Sequence, residues 1–344
     1  MKPLRLLGSF LSKDIAVDLG NSNFCVYEKS RGIIMHEPSL VAIKNTAEDK
    51  RSVVALGRRA KAMRGRTPPG IEVISPMTGG VVSNYDVIQI IMRACFEAAY
   101  SRSFALFPRF ILCAPIGVTQ VERMALVDAA SQVGARETYV LDEPFAGAIG
   151  ASLPIMDPVP NMIVDIGGGT TEASIISLSG MVAFESTRVA GDEMDDCILQ
   201  HIRRKYNLHI GQAEAEEVKI AIAAATPDFF DKKCLVRGRD QGSGLPVSVE
   251  VCTKEISEAI SRPVSIILST VLRVLEMCPP ELSSGLLDCG IVLTGGGAQL
   301  PGLVELISRE SNLPVRLIES PMTTVTRGLG RCLDYIHLYK DLMD

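Results

Sequence analysis

Two aspartates, each at the end of an apolar run and each followed by a glycine turn, are the residues best suited to chemistry in this sequence. Val17-Asp18-Leu19-Gly20 recurs as Val164-Asp165-Ile166-Gly167, nearly half a chain later. A polar turn and a second β-prone run follow each copy, Phe24 to Tyr27 and Ala173 to Leu178. Both copies therefore predict a strand, a tight turn and a second strand, and the duplication indicates two related lobes that face each other.

The chemistry that these turns favour is the binding of phosphate and a divalent cation. Glycines at 167–169 let backbone N–H groups approach an anion without obstruction by side chains. A carboxylate repels phosphate, but it suits Mg²⁺, whose retained waters it can bind. The alternative is two structural hairpins whose glycines serve turn geometry alone. A single copy would favour that alternative, whereas two copies with Asp18 and Asp165 at the same place favour phosphate and Mg²⁺.

A third glycine turn, Gly295 to Gln299, lies near the end of the chain. It follows the strand-like Ile291 to Leu293 and precedes a helical run from Leu300. Exposed backbone there could lie against a base or a phosphate, and the following helix N-terminus supports an anion. Taken alone, this turn is a weak signal.

Helical patterns alternate with the strands, as an α/β architecture requires. Thr119 and Glu122 form a capping-box pattern that opens a helix ending near Gly134. Apolar residues at helical spacing predict one helix from Glu255 to Met277, kinked at Pro263. Two further segments, Gly65 to Gly80 and Arg237 to Pro246, are predicted to be loops in smaller inserted subdomains.

Composition limits the classes of protein and partner. The chain has 344 residues, of which 47% are hydrophobic, so it can bury the cores of two lobes. Acidic residues outnumber basic ones by 40 to 35, which argues against a nucleic acid partner. The nine cysteines are scattered and lack metal or disulfide spacing, so reduced thiols in a reducing compartment are expected. The longest uncharged stretch, Cys289 to Val304, is shorter than the ~18 apolar residues of a spanning helix, so no crossing of a membrane is expected.

These turns, in this order, resemble the actin, Hsp70 and sugar-kinase superfamily, and nearly the whole chain is similar to the MreB family of bacterial actins within it. The matching segments are His36 to Ile43, Gly65 to Ile71, Ala114 to Arg123, Asp142 to Ile155, Val164 to Gly180, Cys278 to Leu282 and Leu293 to Leu303.

The resemblance implies an α/β fold of the actin-like, ribonuclease H-like ATPase type. Two lobes, each with a mixed β-sheet flanked by helices, would carry small inserted subdomains. Lobe I would span residues 1–150, with its core at 1–33 and 81–150 and an inserted subdomain at about 34–80, and 327–344 would complete it. Lobe II would span 151–326, with its core at 151–186 and 253–326 and an inserted subdomain at about 187–252.

The resemblance also implies ATP and Mg²⁺ as cofactors. Glu143 would orient the water that attacks the γ-phosphate, and the Thr170 hydroxyl would help it; a plainer role for Glu143 is to favour the N-terminus of the helix at Pro144. Asp18 and Asp165 would bind Mg²⁺ through water. The implied cofactor-binding residues are Asp18, Gly20, Asn21, Ser22, Asn23, Asp165, Gly167, Gly168, Gly169, Thr170, Gly191, Asp192, Glu216, Glu217, Val218, Lys219, Gly295, Gly296, Gly297, Ala298 and Gln299.

One of these assignments has an alternative explanation, and another falls on a turn that departs from the usual sequence of the family. Glu216 and Lys219 lie at i,i+3 on one predicted helix. Without the resemblance, this spacing indicates an ordinary surface ion pair. The first turn usually reads DLGTANT in the family, whereas here Asn21 lacks a hydroxyl and Phe24 follows the turn. A filament that binds nucleotide but hydrolyses little of it is therefore a further alternative function.

Two apolar segments are candidates for membrane contact. In a helical N-terminus, Leu4, Leu7, Phe10 and Leu11 would share one face, beside basic residues that suit anionic lipid. A frayed terminus resting on the protein body is the alternative. The loop before Pro108 contains Leu106 and Phe107, and a loop folded into the core is equally compatible with its pattern. The resemblance favours binding of both segments to the inner leaflet.

The function implied is a polymerising ATPase, peripheral on the inner face of the cytoplasmic membrane, that holds rod shape and organises peptidoglycan synthesis. The resemblance implies head-to-tail protofilaments in antiparallel pairs, with RodZ, MreC, MreD and the elongation wall-synthesis enzymes as partners. An Hsp70-like chaperone is one alternative, although no linker and peptide-binding region follows before Asp344. A small-molecule kinase of the same superfamily is another, without a sugar-pocket signature in the sequence.

Overall fold

The computed structural model describes residues 14–45, 51–100 and 108–344 of the chain. Residue contacts divide the chain into two compact units. Unit 1 runs through Val159 and adds Ile176–Gly180 and Met322–Asp344, and unit 2 comprises Pro160–Ile175 and Met181–Pro321. The lobe boundaries predicted from the sequence, at residues 150 and 326, differ from this division and stay a prediction.

The described elements up to Gly150 are short strands, most of them consecutive, and helices. The strands are β1 (Ile15–Leu19), β2 (Asn23–Glu28), β3 (Gly32–Pro38), β4 (Val41–Asn45), β5 (Arg51–Leu56), β6 (Ile71–Ile74), β7 (Met77–Thr78), β8 (Val81–Val82), β9 (Arg109–Ala114) and β10 (Glu137–Asp142). The helices are α1 (Arg58–Met63), α2 (Tyr85–Tyr100), α3 (Gln120–Gln132) and α4 (Glu143–Gly150).

The elements after Gly150 begin with the second copy of the repeated motif. The strands are β11 (Asn161–Ile166), β12 (Thr171–Ser177), β13 (Gly180–Thr187), β14 (Leu208–His209), β15 (Lys233–Asp240), β16 (Pro246–Cys252), β17 (Ile291–Thr294) and β18 (Val315–Leu317). The helices are α5 (Gly191–Tyr206), α6 (Gln212–Ile222), α7 (Thr253–Ala259), α8 (Ser261–Glu276), α9 (Pro280–Ser283), α10 (Leu286–Cys289), α11 (Leu303–Ser311), α12 (Thr324–Asp334) and α13 (Ile336–Tyr339), with 3₁₀ turns at Gly297–Gln299, Pro321–Thr323 and Lys340–Leu342.

The main sheet of unit 1 has the strand order β10-β9-β1-β2-β3. Strands β1 and β2 form the predicted antiparallel hairpin, in which Asp18 lies opposite Cys25. Strand β1 runs parallel to β9, and β9 runs parallel to β10, so the carboxyl ends of these three strands meet at one edge. The register is fixed at the other end by Asp14, whose carboxylate lies 2.6 Å from the Arg109 guanidinium.

Helices cover this sheet and bury its apolar side chains. The predicted capping box is confirmed, since Thr119 and Glu122 exchange hydrogen bonds at the N-terminus of α3. Helix α12 packs against β1 and β2 and crosses α4. A core of fully buried side chains joins the strands to α2, with Val17, Phe24 and Ile88 among its members.

Small sheets occupy the predicted inserted regions. Strands β5-β4-β6 form one, and β7 pairs with β8. The prediction of a loop from Gly65 to Gly80 was wrong in part, because β6 and β7 lie within it. The β-branched residues of Ile71–Ile74 pair with β4, which outweighs the turn signal of the flanking glycines and prolines.

The second large sheet has the order β13-β12-β11-β17-β18, in which β11, β17 and β18 run parallel. The predicted strand, tight turn and strand recur here as β11 and β12. An apolar core of unit 2 packs below this sheet against α5, α8 and α11, with Met194, Ile267 and Ile307 among its members.

Two sequence predictions fail in unit 2. The helix predicted from Glu255 to Met277 is two helices, α7 and α8, that break at Ile260. Pro263 lies in the first turn of α8, where a missing N–H costs no intrahelical bond, so it starts a helix and does not kink one. The segment from Arg237 to Pro246 is a loop only at 241–245, because β15 continues to Asp240 and pairs with β16.

The nine cysteines are all free thiols, and five of them are buried. Within the described ranges, no single helix combines the length and hydropathy needed to span a membrane. Helices Ser261–Glu276 and Pro280–Cys289, bent by 113°, meet that criterion only as a pair.

Candidate functional site

The shared edge of β1, β9 and β10 brings Asp18, Cys113 and Glu143 together in unit 1. Asp18 and Cys113 lie one residue before the ends of β1 and β9, and Glu143 directly follows β10 as the first residue of α4. One potential ligand atom from each of the three lies within 4.8 Å of the other two. In the described part of the chain, this is the only grouping of three or more His, Cys, Asp or Glu side chains with such spacing.

The Asp18 carboxylate is held by a hydrogen bond to each oxygen. The Cys113 thiol donates to Oδ1 with a sulfur–oxygen distance of 3.3 Å, and the Thr326 hydroxyl donates to Oδ2 at 3.1 Å. Burial raises the pKa of the Asp18 carboxyl, while these hydrogen bonds and the charge of His36 oppose that shift. We call Asp18, Cys113, Glu143 and Thr326 the unit 1 cluster.

The unit 1 cluster fits Mg²⁺ better than a thiophilic metal. Burial raises the pKa of the Cys113 thiol well above its ordinary value, and the charges of Asp18 and Glu143 add to the shift. The protonated thiol is also committed as a donor to Asp18. The two carboxylates provide the oxygen atoms that Mg²⁺ and its waters prefer.

The first turn is closed by its own backbone. The Gly20 amide donates to the Asn23 carbonyl at 3.0 Å, and the Ser39 hydroxyl donates to the Gly20 carbonyl at 2.6 Å. The Gly80 amide donates to Asn21 Oδ1 at 3.2 Å, so the Asn21 side chain offers its N–H groups as donors for an anion. Ser22 is half-buried and Asn23 is exposed.

The second turn repeats that geometry in unit 2. The Gly167 amide donates to the Thr170 carbonyl at 2.9 Å. The start of α5 is bonded to this turn, because the Gly191 amide donates to the Gly167 carbonyl at 3.3 Å and the Asp192 amide donates to the Gly168 carbonyl at 2.8 Å. The glycine turn and the N-terminus of a long helix are thus bonded to each other, and helix N-termini are favourable places for an anion.

The third glycine turn packs directly on the second. Gly295 has a φ of +88°, and a Cβ there would lie 2.3 Å from the Ile166 carbonyl oxygen and 2.5 Å from an Asp165 carboxylate oxygen. A Cβ at Gly297 would lie 2.7 Å from the Ile166 side chain. These glycines let two backbone turns meet, while Gly296 and Gln299 remain exposed beside them.

Lys219 pairs with an acidic residue of the preceding helix, α5. Its ammonium group lies 2.8 Å from the Asp195 carboxylate and donates to the Gly191 carbonyl at 2.8 Å. Burial raises the pKa of Asp195 to about 6, although Lys219 opposes the shift; the charges of Glu216 and Asp192 add to it. We call Asp165, Gly167, Gly191, Lys219 and Gly295 the unit 2 cluster.

Two of the predicted cofactor-binding residues have side chains that point into the protein. Val218 is 3% exposed and Ala298 is 1% exposed, and both belong to the apolar core of unit 2. A ligand could therefore reach only the backbone groups of these residues, and their assignment to cofactor binding stays a prediction. Glu217, on the exposed side of α6, remains accessible.

Sequence reasoning missed Cys113, Thr326 and Asp195, which contact predicted site residues. Thr326 lies 308 positions from Asp18, and Cys113 lies 95 positions away. No local motif marks either residue, because the sheet register and the return of α12 to unit 1 create the contacts. The predicted membrane residues Leu4, Leu7, Phe10, Leu11, Leu106 and Phe107 lie outside the described residues.

The sequence matches the family profile described as MreB/Mbl protein over residues 12–341. The chain belongs to the MreB/Mbl family. It is 42% identical over 338 residues to the cell shape-determining protein MreB of Escherichia coli strain K12, with 98% of this chain and 97% of that protein covered. It is 40% identical to the cell shape-determining protein Mbl of Bacillus subtilis strain 168, with 94% and 96% covered.

Solved structures agree with this family. MreB5 of Spiroplasma citri bound to ADP superposes with a TM-score of 0.90 at 32% identity, covering 96% of this chain and 98% of that one. The same protein bound to AMPPNP gives the same values. The MamK double helical filament, at 21% identity, shares the fold with a TM-score of 0.77, covering 93% of this chain and 99% of that one. This MreB/Mbl chain therefore has the predicted actin-like α/β fold.

Proposed function

We propose that this chain is a cytoskeletal ATPase that binds ATP with Mg²⁺ and assembles into filaments. The observation that carries the proposal is the repeated turn. In both copies, an aspartate near a strand end precedes a glycine whose amide closes a tight turn, at 3.0 Å in one and 2.9 Å in the other. Backbone N–H groups in such turns bind phosphate, and the related MreB5 binds ADP and AMPPNP.

Each cluster would contribute a distinct part of the chemistry. Asp18 and Asp165 would bind waters of the Mg²⁺ ion, which neutralises phosphate charge when it is bound. Glu143, at the N-terminus of α4, would orient and polarise the attacking water, and the Thr170 hydroxyl would assist. Lys219 and Glu216 would contact the nucleoside. The ion pair of Lys219 with Asp195 keeps the ammonium beside Gly191, next to the second turn.

Its biological role would be to hold cell shape and to organise peptidoglycan synthesis, because its relatives MreB and Mbl are cell shape-determining proteins. We propose that the filaments lie on the inner face of the cytoplasmic membrane, supported by the apolar and basic pattern of residues 2–13. RodZ, MreC, MreD and wall-synthesis enzymes would be the partners, on family membership alone.

Pelleting and negative-stain microscopy with lipid vesicles test this proposal. We expect filaments on vesicles with Mg-ATP, few without nucleotide, and detachment from vesicles when Met1 to Leu11 are deleted. A protein that stays monomeric in every condition would contradict the filament function. Filaments that form without measurable phosphate release would instead favour the nucleotide-binding filament with little hydrolysis, for which Asn21 in place of a hydroxyl residue is the motivating feature.

A further inference from the structure

Thr326 is a fully buried residue of α12 whose hydroxyl reaches the Asp18 carboxylate. Its Oγ1 donates to Asp18 Oδ2 at 3.1 Å, and the side chain has no solvent-exposed surface.

The contacts around Asp18 form a connected row. Cys25 lies opposite Asp18 in the β1–β2 register, and His36 lies opposite Cys25 in the β2–β3 register. Thr326 donates to one oxygen of Asp18, and Cys113 donates to the other. Each carboxylate oxygen has two lone pairs, so each keeps one acceptor site for another donor. The carboxylate is thus fixed in rotation without being saturated.

Helix α12 is itself held firmly against the helix that begins with Glu143. A Cβ at Gly328 would lie 1.8 Å from the Ala146 carbonyl oxygen, and a Cβ at Gly150 would lie 2.0 Å from the Thr324 carbonyl oxygen. These helices meet backbone to backbone, which leaves little freedom for α12 to shift relative to α4. Arg331 adds a hydrogen bond to the Ile149 carbonyl at 2.7 Å.

We infer that Thr326 is a positioning residue that orients the Asp18 carboxylate for the waters of a nucleotide-bound Mg²⁺ ion, and thereby sets the Mg²⁺ affinity of the nucleotide complex. The inference rests on the proposed ATP and Mg²⁺ function. Helix α12 transmits the position of α4 to Asp18 through this hydroxyl, so the carboxylate near the ion and the carboxylate of Glu143 are placed by one pair of helices. Thr326 itself contacts neither ion nor nucleotide.

Variants of Thr326 test the inference. Each variant is titrated with Mg²⁺ in the presence of AMPPNP, and the rise in melting temperature reports how much of the complex has formed. Thr326→Val keeps the shape and removes the hydroxyl, Thr326→Ala removes it without added bulk, and Thr326→Ser retains it. We expect the valine and alanine variants to need roughly tenfold more Mg²⁺ for half of the rise, and the serine variant to stay within about twofold of wild type. Binding of AMPPNP in EDTA should stay within about twofold for all, because the hydroxyl acts through the ion.

Three outcomes would overturn the inference, and a fourth would overturn the proposed nucleotide function. A wild-type Mg²⁺ midpoint in folded valine or alanine variants overturns the inference, as does a serine variant that shifts as far as valine. Failure of both hydroxyl-free variants to fold, with serine folded, also overturns it, because the hydroxyl then serves the fold and not the ion. A wild-type protein whose melting temperature does not respond to AMPPNP with Mg²⁺ would overturn the proposed nucleotide function itself.

Discussion

The ammonium nitrogen of Lys219 lies 2.8 Å from a carboxylate oxygen of Asp195, and this pair connects α6 to the second turn of α5. Lys219 also donates to the Gly191 carbonyl at 2.8 Å, and the Gly191 amide donates to the Gly167 carbonyl at 3.3 Å. A buried ion pair therefore supports the glycine turn that we assign to phosphate. Removing one member would leave the other buried without its partner, which is costly.

Asp195 predicts a specific pH dependence of stability. Its pKa is about 6 in the folded protein against an ordinary value of 3.8. Between these values the folded state binds a proton that the unfolded state has lost. The contribution of Asp195 to the free energy of unfolding is therefore full below pH 3.8 and is lost as pH rises through 6. The loss would amount to about 3 kcal/mol.

The measurement is denaturant unfolding of wild type and Asp195→Asn at pH 4 and pH 7. The variant cannot titrate at this position, so the difference in unfolding free energy should shift in favour of the variant between these two pH values, by about 2 kcal/mol of the full loss. Asp196→Asn, at the next and exposed position of α5, is the matched control for loss of a carboxylate. An unchanged difference between the two pH values would show that Asp195 is not a buried, raised-pKa group.

Replacing Gly295 by alanine should destabilise the protein strongly. The new Cβ would combine the strain of φ +88° with overlap against backbone atoms of Ile166 that cannot move aside. We expect a loss of at least about 3 kcal/mol in the free energy of unfolding, by denaturant titration. Gly244→Ala is the control: its φ is +72° but no atom lies within 4 Å of its Cβ, so it should lose only about 1–2 kcal/mol. Equal losses in both variants would contradict the close packing of the two turns.

Glu143→Gln should slow phosphate release while sparing nucleotide binding. The amide keeps the size of the side chain but cannot act as a base, so we expect a fall of about 100-fold or more in the release rate at saturating Mg-ATP. Nucleotide affinity, measured by fluorescence titration, should stay within about threefold, because Glu143 would act on the water. Glu137→Gln, on the exposed start of β10, is the control and should retain the wild-type rate. A Glu143→Gln variant as fast as wild type would remove Glu143 from the chemistry.

Thr119→Ala tests the local structure of unit 1. Thr119 caps α3 through the Glu122 amide at 3.3 Å, and its own amide donates to the Glu122 carboxylate at 2.8 Å. Loss of this cap should cost about 1 kcal/mol in thermal or denaturant unfolding. Gln120→Ala, one residue later at an exposed position, should stay within about 0.5 kcal/mol of wild type. Equal effects would mean that the capping box contributes nothing measurable.

The sequence predicted best those features that local chemistry determines. Neighbouring residues determine the hairpin at Asp18, the capping box at Thr119 and the glycine turns at 167–170 and 295–299. The structure contains each of these features. Pro263 misled the prediction because the same residue that breaks a helix interior also begins a helix well. Only the position of the break at Ile260 distinguishes the two cases.

The rest depends on contacts between distant parts of the chain. The partners of Asp18 come from β9 and α12, and the partner of Lys219 comes from the neighbouring helix α5. Val218 stands between Glu217 and Lys219 in the sequence, and helical rotation turns its side chain into the core. Sheet register and helix rotation, which single motifs do not encode, decided these positions.

Calorimetric titration of the purified protein with ATP and with AMP, each in Mg²⁺, tests the central claim most directly. The claim is that the turns after Asp18 and Asp165 bind phosphate groups, so ATP should bind at least about tenfold more tightly than AMP, which lacks the outer phosphates. Equal affinity for ATP and AMP, or no heat of binding with either, would contradict the assignment of these turns to the phosphates of a nucleotide.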